Sequence, residues 1–345
     1  MQSVSTTLTA GKLHAVRIPT PLAPQPTKYV GLRCTACFAN LAGMAYHALG
    51  QKHEAIACGK CSSVIPQEQG IWLALASDRL RHFDRFIRDY EMVRRAEGRG
   101  SGNPGFYLSL PHVNRTDPNA WQWTIRARTY SSIERKILPA INSNASRPLT
   151  FLDLGAGNGW LSHRLATLGH RPVAVDLQTN VFDGLGAAVH YRHALPMLFP
   201  RFQAELDRLP FTDEQFDCAI FNASFHYSEN YDTTLSEAIR CLRPGGTIVI
   251  ADTPSYSGEG AGLQMLEERR MSFQKRFGFA SDSLASGEYL TRERLLALEA
   301  RHGLEWTTHD VWYGVRWACR PLVARLKRRR EPSQFRIYTA QVKKR

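Results

Sequence analysis

No stretch of this chain approaches the roughly 18 consecutive apolar residues that a membrane-spanning helix needs, so a helical transmembrane protein is excluded. Residues 1–27 lack the apolar core of a secretory leader. They are rich in Thr and Pro and read as a disordered tail, and a cytoplasmic protein is expected. Cysteine is sparse and odd in number, seven among 345 residues, with Cys218, Cys241 and Cys319 isolated in apolar stretches. That excludes the disulfide framework of a small secreted domain and makes the isolated three small core residues. Acid is in deficit: 44 Lys and Arg stand against 31 Asp and Glu, a net charge of +13. The excess gathers in residues 311–345, where eleven Lys and Arg face one acid, Glu331. Such a segment suits RNA, anionic lipid or an acidic partner, or is simply a solvated face. There is no internal repeat beyond an α/β alternation, and the length implies two or three units rather than one small core.

What cysteine there is falls mainly in two pairs, Cys34-x2-Cys37 within LRCTACFANL and Cys58-x2-Cys61 within IACGKCSSVI. Each reads as a short strand, a knuckle and a return. The x2 spacing turns both thiolates of a pair toward one ion, and four soft thiolates favour tetrahedral Zn²⁺. About forty residues cannot bury enough apolar surface alone, so the metal would supply folding energy to a zinc ribbon over residues 28–66. A redox CxxC, the other reading, does not normally come twice in a mirrored setting.

Residues 67–125 are expected to form a helical linker or cap. Leu80, Phe83, Ile87 and Tyr90 recur at helical spacing over 77–97, the run GRGSGNPG (98–105) is a flexible loop, and 121–141 is a second helical stretch. These helices would join the ribbon to the main domain and cover its pocket. From residue 149 the rhythm becomes strand–helix–strand: LTFLDLG, then a helix stopped by Gly169, PVAVDL, QFDCAIFNAS, a helix with Leu235, Ile239 and Leu242 inward, RPGG and TIVIADT. That alternation predicts an α/β layered domain with a mostly parallel sheet.

Between the first strand and its helix lies Gly155-Ala156-Gly157-Asn158-Gly159, preceded by Asp153. A glycine turn of this kind lets backbone approach a ligand and aims helix N–H groups at it. Asp176 ends the next strand, where a carboxylate can accept hydrogen bonds from both ribose hydroxyls. A dinucleotide fingerprint would require Gly or Ala where Trp160 stands, so a nucleoside cofactor without a pyrophosphate is favoured over NAD.

These residues resemble the motifs of class I S-adenosylmethionine-dependent methyltransferases. FLDLGAGNGWLS resembles their first motif and VAVDL their second. AELDRLPFTDEQFDCAIFNASFHY resembles the third and fourth in the style of the quinone-type branch, and LRPGGTIVIADTP the fifth strand and its entry turn. The resemblance covers residues 126–345. It implies a Rossmann-like sheet, mostly parallel with the last strand antiparallel, behind the small N-terminal zinc-ribbon module. It also implies S-adenosylmethionine as cofactor, with Gly155, Gly157 and Gly159 near its methionine portion, Asp176 on its ribose, Glu205 and Leu206 by its adenine, and Asn222 on the methionine side. The segment after Asp176 departs from the family: NVFDGLGAA reads as loop where a helix is usual.

Methyl transfer is an in-line displacement that asks mainly for alignment and exclusion of water. Where the acceptor must lose a proton, His226 is the candidate base, with Asp252 and Tyr256 lesser ones. A small-molecule or lipid-like acceptor follows from the quinone-branch resemblance. The segment 311–330 adds Trp312, Val315, Cys319, Leu322 and Leu326 at helical spacing beside Arg316, Arg320 and Lys327, which suits an interfacial helix on anionic lipid, kinked or restarted at Pro321. RNA is the alternative acceptor, with the ribbon as docking module. A non-catalytic zinc-ribbon partner protein is a third reading.

Overall fold

The computed structural model describes residues 29–142 and 147–343, so the expected tail over 1–27 lies outside the described residues. The first CxxC knuckle joins β1 (Tyr29–Arg33) to β2 (Asn40–Ala45), an antiparallel pair. The second joins β3 (Ala55–Ala57) to β4 (Val64–Glu68), and β5 (Ile71–Leu73) turns back on β4. The alternating part supplies β6 (Thr150–Leu154), β7 (Arg171–Asp176), β8 (Arg201–Gln203), β9 (Phe216–Asn222), β10 (Leu242–Ala251), β11 (Thr307–His309) and β12 (Ile337–Gln341). The large sheet runs β11-β12-β10-β9-β6-β7-β8-β5-β4-β3. Strands β10, β9, β6, β7, β8 and β5 are mutually parallel, and β12 is antiparallel to β10. All five residues of β6 are buried, as a strand covered on both faces requires. Leu152 and Leu154 pack into one core and Phe151 into the other.

The cysteine module is not set apart from this sheet. Strand β5 pairs in parallel with β8, so the second half of the cysteine module forms the sheet's edge. The first half docks as well: the Arg33 N–H donates to Pro210 O at 3.0 Å, and the Thr212 N–H donates to Gly31 O at 3.1 Å. Val30, Leu32, Ile65 and Trp72 share a core with β6, β7 and β9. A boundary at residue 66 therefore falls inside β4. The physical reason is the apolar run Ile71-Trp72-Leu73, which a forty-residue module could not bury by itself.

After the cysteine module come the cap helix Ser77–Ala96, a short helix Pro104–Ser109 that begins within the expected loop, and the helix Ala120–Ser132. After Asp176 the chain forms a 3₁₀ helix, Leu185–His193, where a loop is expected from the sequence. Asn180 sets its entry: Oδ1 accepts from the N–H groups of Phe182, Asp183 and Gly184, an Asx turn that sequence periodicity does not reveal. The basic segment breaks into two short helices, Val315–Ala318 and Arg320–Leu326, with Pro321 in the first turn of the second. Trp312 and Leu326 are 68% and 75% exposed, so their apolar faces are not packed against this chain. Among the described residues no helix is long and apolar enough to cross a membrane.

Candidate cofactor and acceptor site

At the carboxyl end of β6 the chain turns through Gly155 at φ 72°. A Cβ there would collide with the side chain of Ser224, so glycine is required on two counts. The N–H groups of Gly155 and Ala156 both donate to Val175 O, at 2.9 and 3.0 Å, which pins the turn to β7. Asp176 ends that strand. Its carboxylate accepts from the Gly157 N–H and the Gln178 N–H, each at 2.7 Å. Burial pushes its pKa up, while those two N–H groups pull it down. Asp153 is buried beneath the loop, accepts from Ser162 Oγ at 2.7 Å, and is pushed up by burial to about 7. Gly159 caps the helix Trp160–Thr167 in the left-handed conformation, next to Phe199.

One cavity gathers most of the residues singled out from the sequence. Asp153, Gly155, Gly157, Asp176, Leu206 and Asn222 line it. Glu205 does not. Ala204 and Leu206 face the cavity, and the Glu205 carboxylate turns to the cap helix, where Arg79 approaches it at 2.7 Å. His226 is not among the lining residues either. The residue is half-buried, its shielded Nδ1 has no hydrogen-bond partner, and desolvation pushes its pKa down to about 4. Tyr227 takes the lining position instead. Asp252 accepts from Thr129 Oγ1 at 2.6 Å, and Tyr256 packs against Tyr289; neither lines the cavity.

The sequence reading missed Phe86, Tyr90 and Arg94 as site residues. They lie four apart along the cap helix and all face the cavity. Their signal was an aromatic–aromatic–arginine stripe at i, i+4, i+8, which also reads as ordinary core. The rings of Phe86, Tyr90 and Tyr227 meet at centroid distances of 5.6, 5.7 and 6.0 Å. Arg94 Nε donates to Asp183 Oδ2 at 2.5 Å, and Asn158 Nδ2 donates to Asp183 Oδ1 at 3.2 Å. Cap helix, glycine loop and 3₁₀ entry are thus tied by one carboxylate.

Beyond Phe86, Tyr90, Arg94, Arg126 and Tyr227 lies a second cavity of about 290 Å³. Those five residues line both spaces. Its far side carries Phe273, Phe279 and Leu284, with Arg269 paired to Glu288.

The four paired cysteines converge. Cys34 Sγ lies 3.7 Å from Cys61 Sγ and Cys37 Sγ 3.6 Å from Cys58 Sγ, with all four sulfurs within 4.8 Å of one another. Zn–S bonds of about 2.3 Å in a tetrahedron place sulfurs about 3.8 Å apart, so the cluster is compatible with a zinc module. The knuckles repeat each other: the Phe38 N–H donates to Cys34 O and the Ser62 N–H to Cys58 O, both at 2.9 Å, with Phe38 and Ser62 at φ 62° and 60°.

Residues 152–250 match the family described as a methyltransferase domain. Similar curated proteins include the phthiotriol/phenolphthiotriol dimycocerosates methyltransferase of Mycobacterium leprae, 34% identical over 54% of this chain and 66% of that protein. The fatty-acid O-methyltransferase of Mycolicibacterium smegmatis is 30% identical over 36% of this chain and 47% of that protein. The malonyl-[acyl-carrier protein] O-methyltransferase of Buchnera aphidicola is 28% identical over 30% of this chain and 39% of that protein. The chain thus spans between 39% and 66% of the length of these relatives. Among solved structures, the YcgJ protein of Bacillus subtilis is similar at 15% identity, covering 60% of this chain and 97% of that one with a TM-score of 0.43. Residues 152–250 thus carry a methyltransferase domain.

Proposed function

We propose that the protein transfers a methyl group from S-adenosylmethionine to a small-molecule or lipid-like acceptor, by O- or C-methylation. The observation that carries this reading is the pair of adjoining cavities, one on the glycine loop and one beyond a shared aromatic wall. The residues on the first fit the cofactor. Asp176 presents a carboxylate already oriented by two backbone N–H groups, suited to ribose hydroxyls. Gly155 and Gly157 keep the backbone bare beside the methionine portion, Asn222 offers a polar side chain there, and Ala204 and Leu206 border the base, while Gly159 lies off the cavity, capping the helix against Phe199. Glu205, engaged by Arg79, fixes the cap helix to that segment. When bound, the cofactor supplies an electrophilic methyl group on a positively charged sulfur.

The chain's own part is placement and shielding. The cap helix closes the site from above with Phe86 and Tyr90, and Tyr227 closes it from the β9 side, which leaves a space for a compact acceptor and keeps water out. The M. leprae and M. smegmatis relatives are named for lipid-like substrates, which supports the same class here. Cys34, Cys37, Cys58 and Cys61 would hold a structural Zn²⁺, as closed four-sulfur sites do; elemental analysis should return one zinc per chain. For the activity, labelled S-adenosylmethionine would be incubated with the protein and an extract containing lipids and RNA. Label should enter the organic-soluble fraction and vanish with Asp176→Ala. Label entering RNA instead would overturn the acceptor class.

A further inference from the structure

The five residues at the junction of the two cavities, Phe86, Tyr90, Arg94, Arg126 and Tyr227, include no carboxylate and no imidazole. Burial pushes the pKa of both phenols upward, so each keeps its proton at neutral pH and is a donor rather than a base. Arg94 is engaged by Asp183. Arg126 is not engaged: among the described residues it makes no hydrogen bond and no ion pair, and its guanidinium lies 5.1 Å from the centroid of the Trp123 ring. Its charged neighbours include Arg94 and Arg99, and the nearby acid, Asp252, is held by Thr129. Acids on the second cavity are already paired, Glu97 with Arg99, Asp89 with Arg85, and Glu288 with Arg269. Arg99 Nη1 is buried without a partner and adds another unused donor to the same wall.

A junction of this make-up can neither deprotonate an acceptor nor balance its own charge. A nucleophile that arrives already ionised meets both conditions. We infer that the acceptor is an apolar molecule bearing a carboxylate, drawn to the junction by Arg126, and that a carboxylate oxygen is the atom methylated. The inference rests on the methyl-transfer reading above. In the transfer, the carboxylate oxygen forms the new bond to the methyl carbon and the carbon–sulfur bond breaks, its electron pair passing to sulfur. Anion and sulfonium become a neutral methyl ester and a thioether, and no proton moves. The apolar part of the acceptor would lie against Phe273, Phe279 and Leu284.

Calorimetry on protein saturated with S-adenosylhomocysteine tests this, with decanoate and 2-naphthoate as probes and decanol and 2-naphthylmethanol as their neutral counterparts. At least one carboxylate should bind tighter than its alcohol. Arg126→Gln should weaken that carboxylate about 10- to 100-fold, the worth of a charge-assisted contact, leaving the alcohol and S-adenosylhomocysteine unchanged. Arg126→Lys should lose less. With labelled S-adenosylmethionine, the product should release labelled methanol in mild alkali. Carboxylates binding no tighter than alcohols, or binding untouched by Arg126→Gln, would overturn the inference. So would Arg126→Gln weakening S-adenosylhomocysteine, which would assign Arg126 to the cofactor's own carboxylate. Failure of wild-type protein to bind S-adenosylhomocysteine is a separate outcome that removes the methyl-transfer reading and this inference with it.

Discussion

Asp153 is buried and His226 half-buried with its Nδ1 shielded, and folding moves their proton affinities in opposite directions. Asp153 rises from near 3.8 to about 7, so the folded protein keeps a proton that the unfolded chain releases. Its contribution to stability is fully present below about pH 4 and is lost as pH rises through 7. His226 falls from 6.5 to about 4, so the unfolded chain binds the extra proton. Its contribution is present above about pH 6.5 and is lost as pH falls through 4. Urea unfolding of ligand-free protein should therefore show Asp153→Asn gaining on the wild type by roughly 1–4 kcal/mol between pH 4 and 8. Over the lower part of that range His226→Phe should lose ground by roughly 1–3 kcal/mol. Parallel trends would contradict the burial of one of the two groups. The same burial explains what the sequence could show at this scale. Gly155, Gly157 and Asp176 were legible because a tight turn and a strand-end carboxylate leave local patterns. Arg126 was not, because an unpaired guanidinium is defined by what surrounds it.

The cap helix is the element on which the site depends most. Its Phe86, Tyr90 and Arg94 form the roof, and its first turn is anchored by Arg79 on the largely buried Glu205. Removing one partner of such a pair leaves an uncompensated charge. Arg79→Ala should cost about 2–4 kcal/mol, discounted for the partial exposure of Arg79 and the second cation, Arg208, at 3.6 Å. Denaturant unfolding would check the cost, and combining Arg79→Ala with Glu205→Gln should cost less than the two changes summed. A fully additive pair would mean that the anchor is not formed. That a helix occupies residues 77–97 was legible from Leu80, Phe83 and Ile87. Which face meets the cavity was not, since two apolar stripes wrap the same helix. The 3₁₀ helix after Asp176 was hidden for a different reason: its geometry follows from one Asn180 side chain rather than from any periodicity.

At the scale of the molecule, the cysteine module and the catalytic sheet are one hydrogen-bonded structure, because β5 pairs with β8 and Trp72 sits in the common core. Removal of the proposed Zn²⁺ should therefore be felt throughout. Chelation should lower a single thermal transition by roughly 5–10 °C, followed by calorimetry; an unchanged main transition with a small separate one would show an independent module instead. Strands β6, β7, β9 and β10 were legible from alternating strands and helices, whereas the three-residue β8 was too short to leave a pattern. The fusion of ribbon to sheet was not, since edge pairing between distant segments leaves no spacing signal. The central claim is that the cleft at the carboxyl ends of β6, β7 and β9 holds a methionine-bearing nucleoside, and titration of purified protein with S-adenosylhomocysteine tests it most directly. One molecule should bind per chain, with affinity falling at least about 10-fold in Asp176→Ala as charge-assisted ribose contacts are lost. Absence of binding, or binding indifferent to Asp176, would contradict the account.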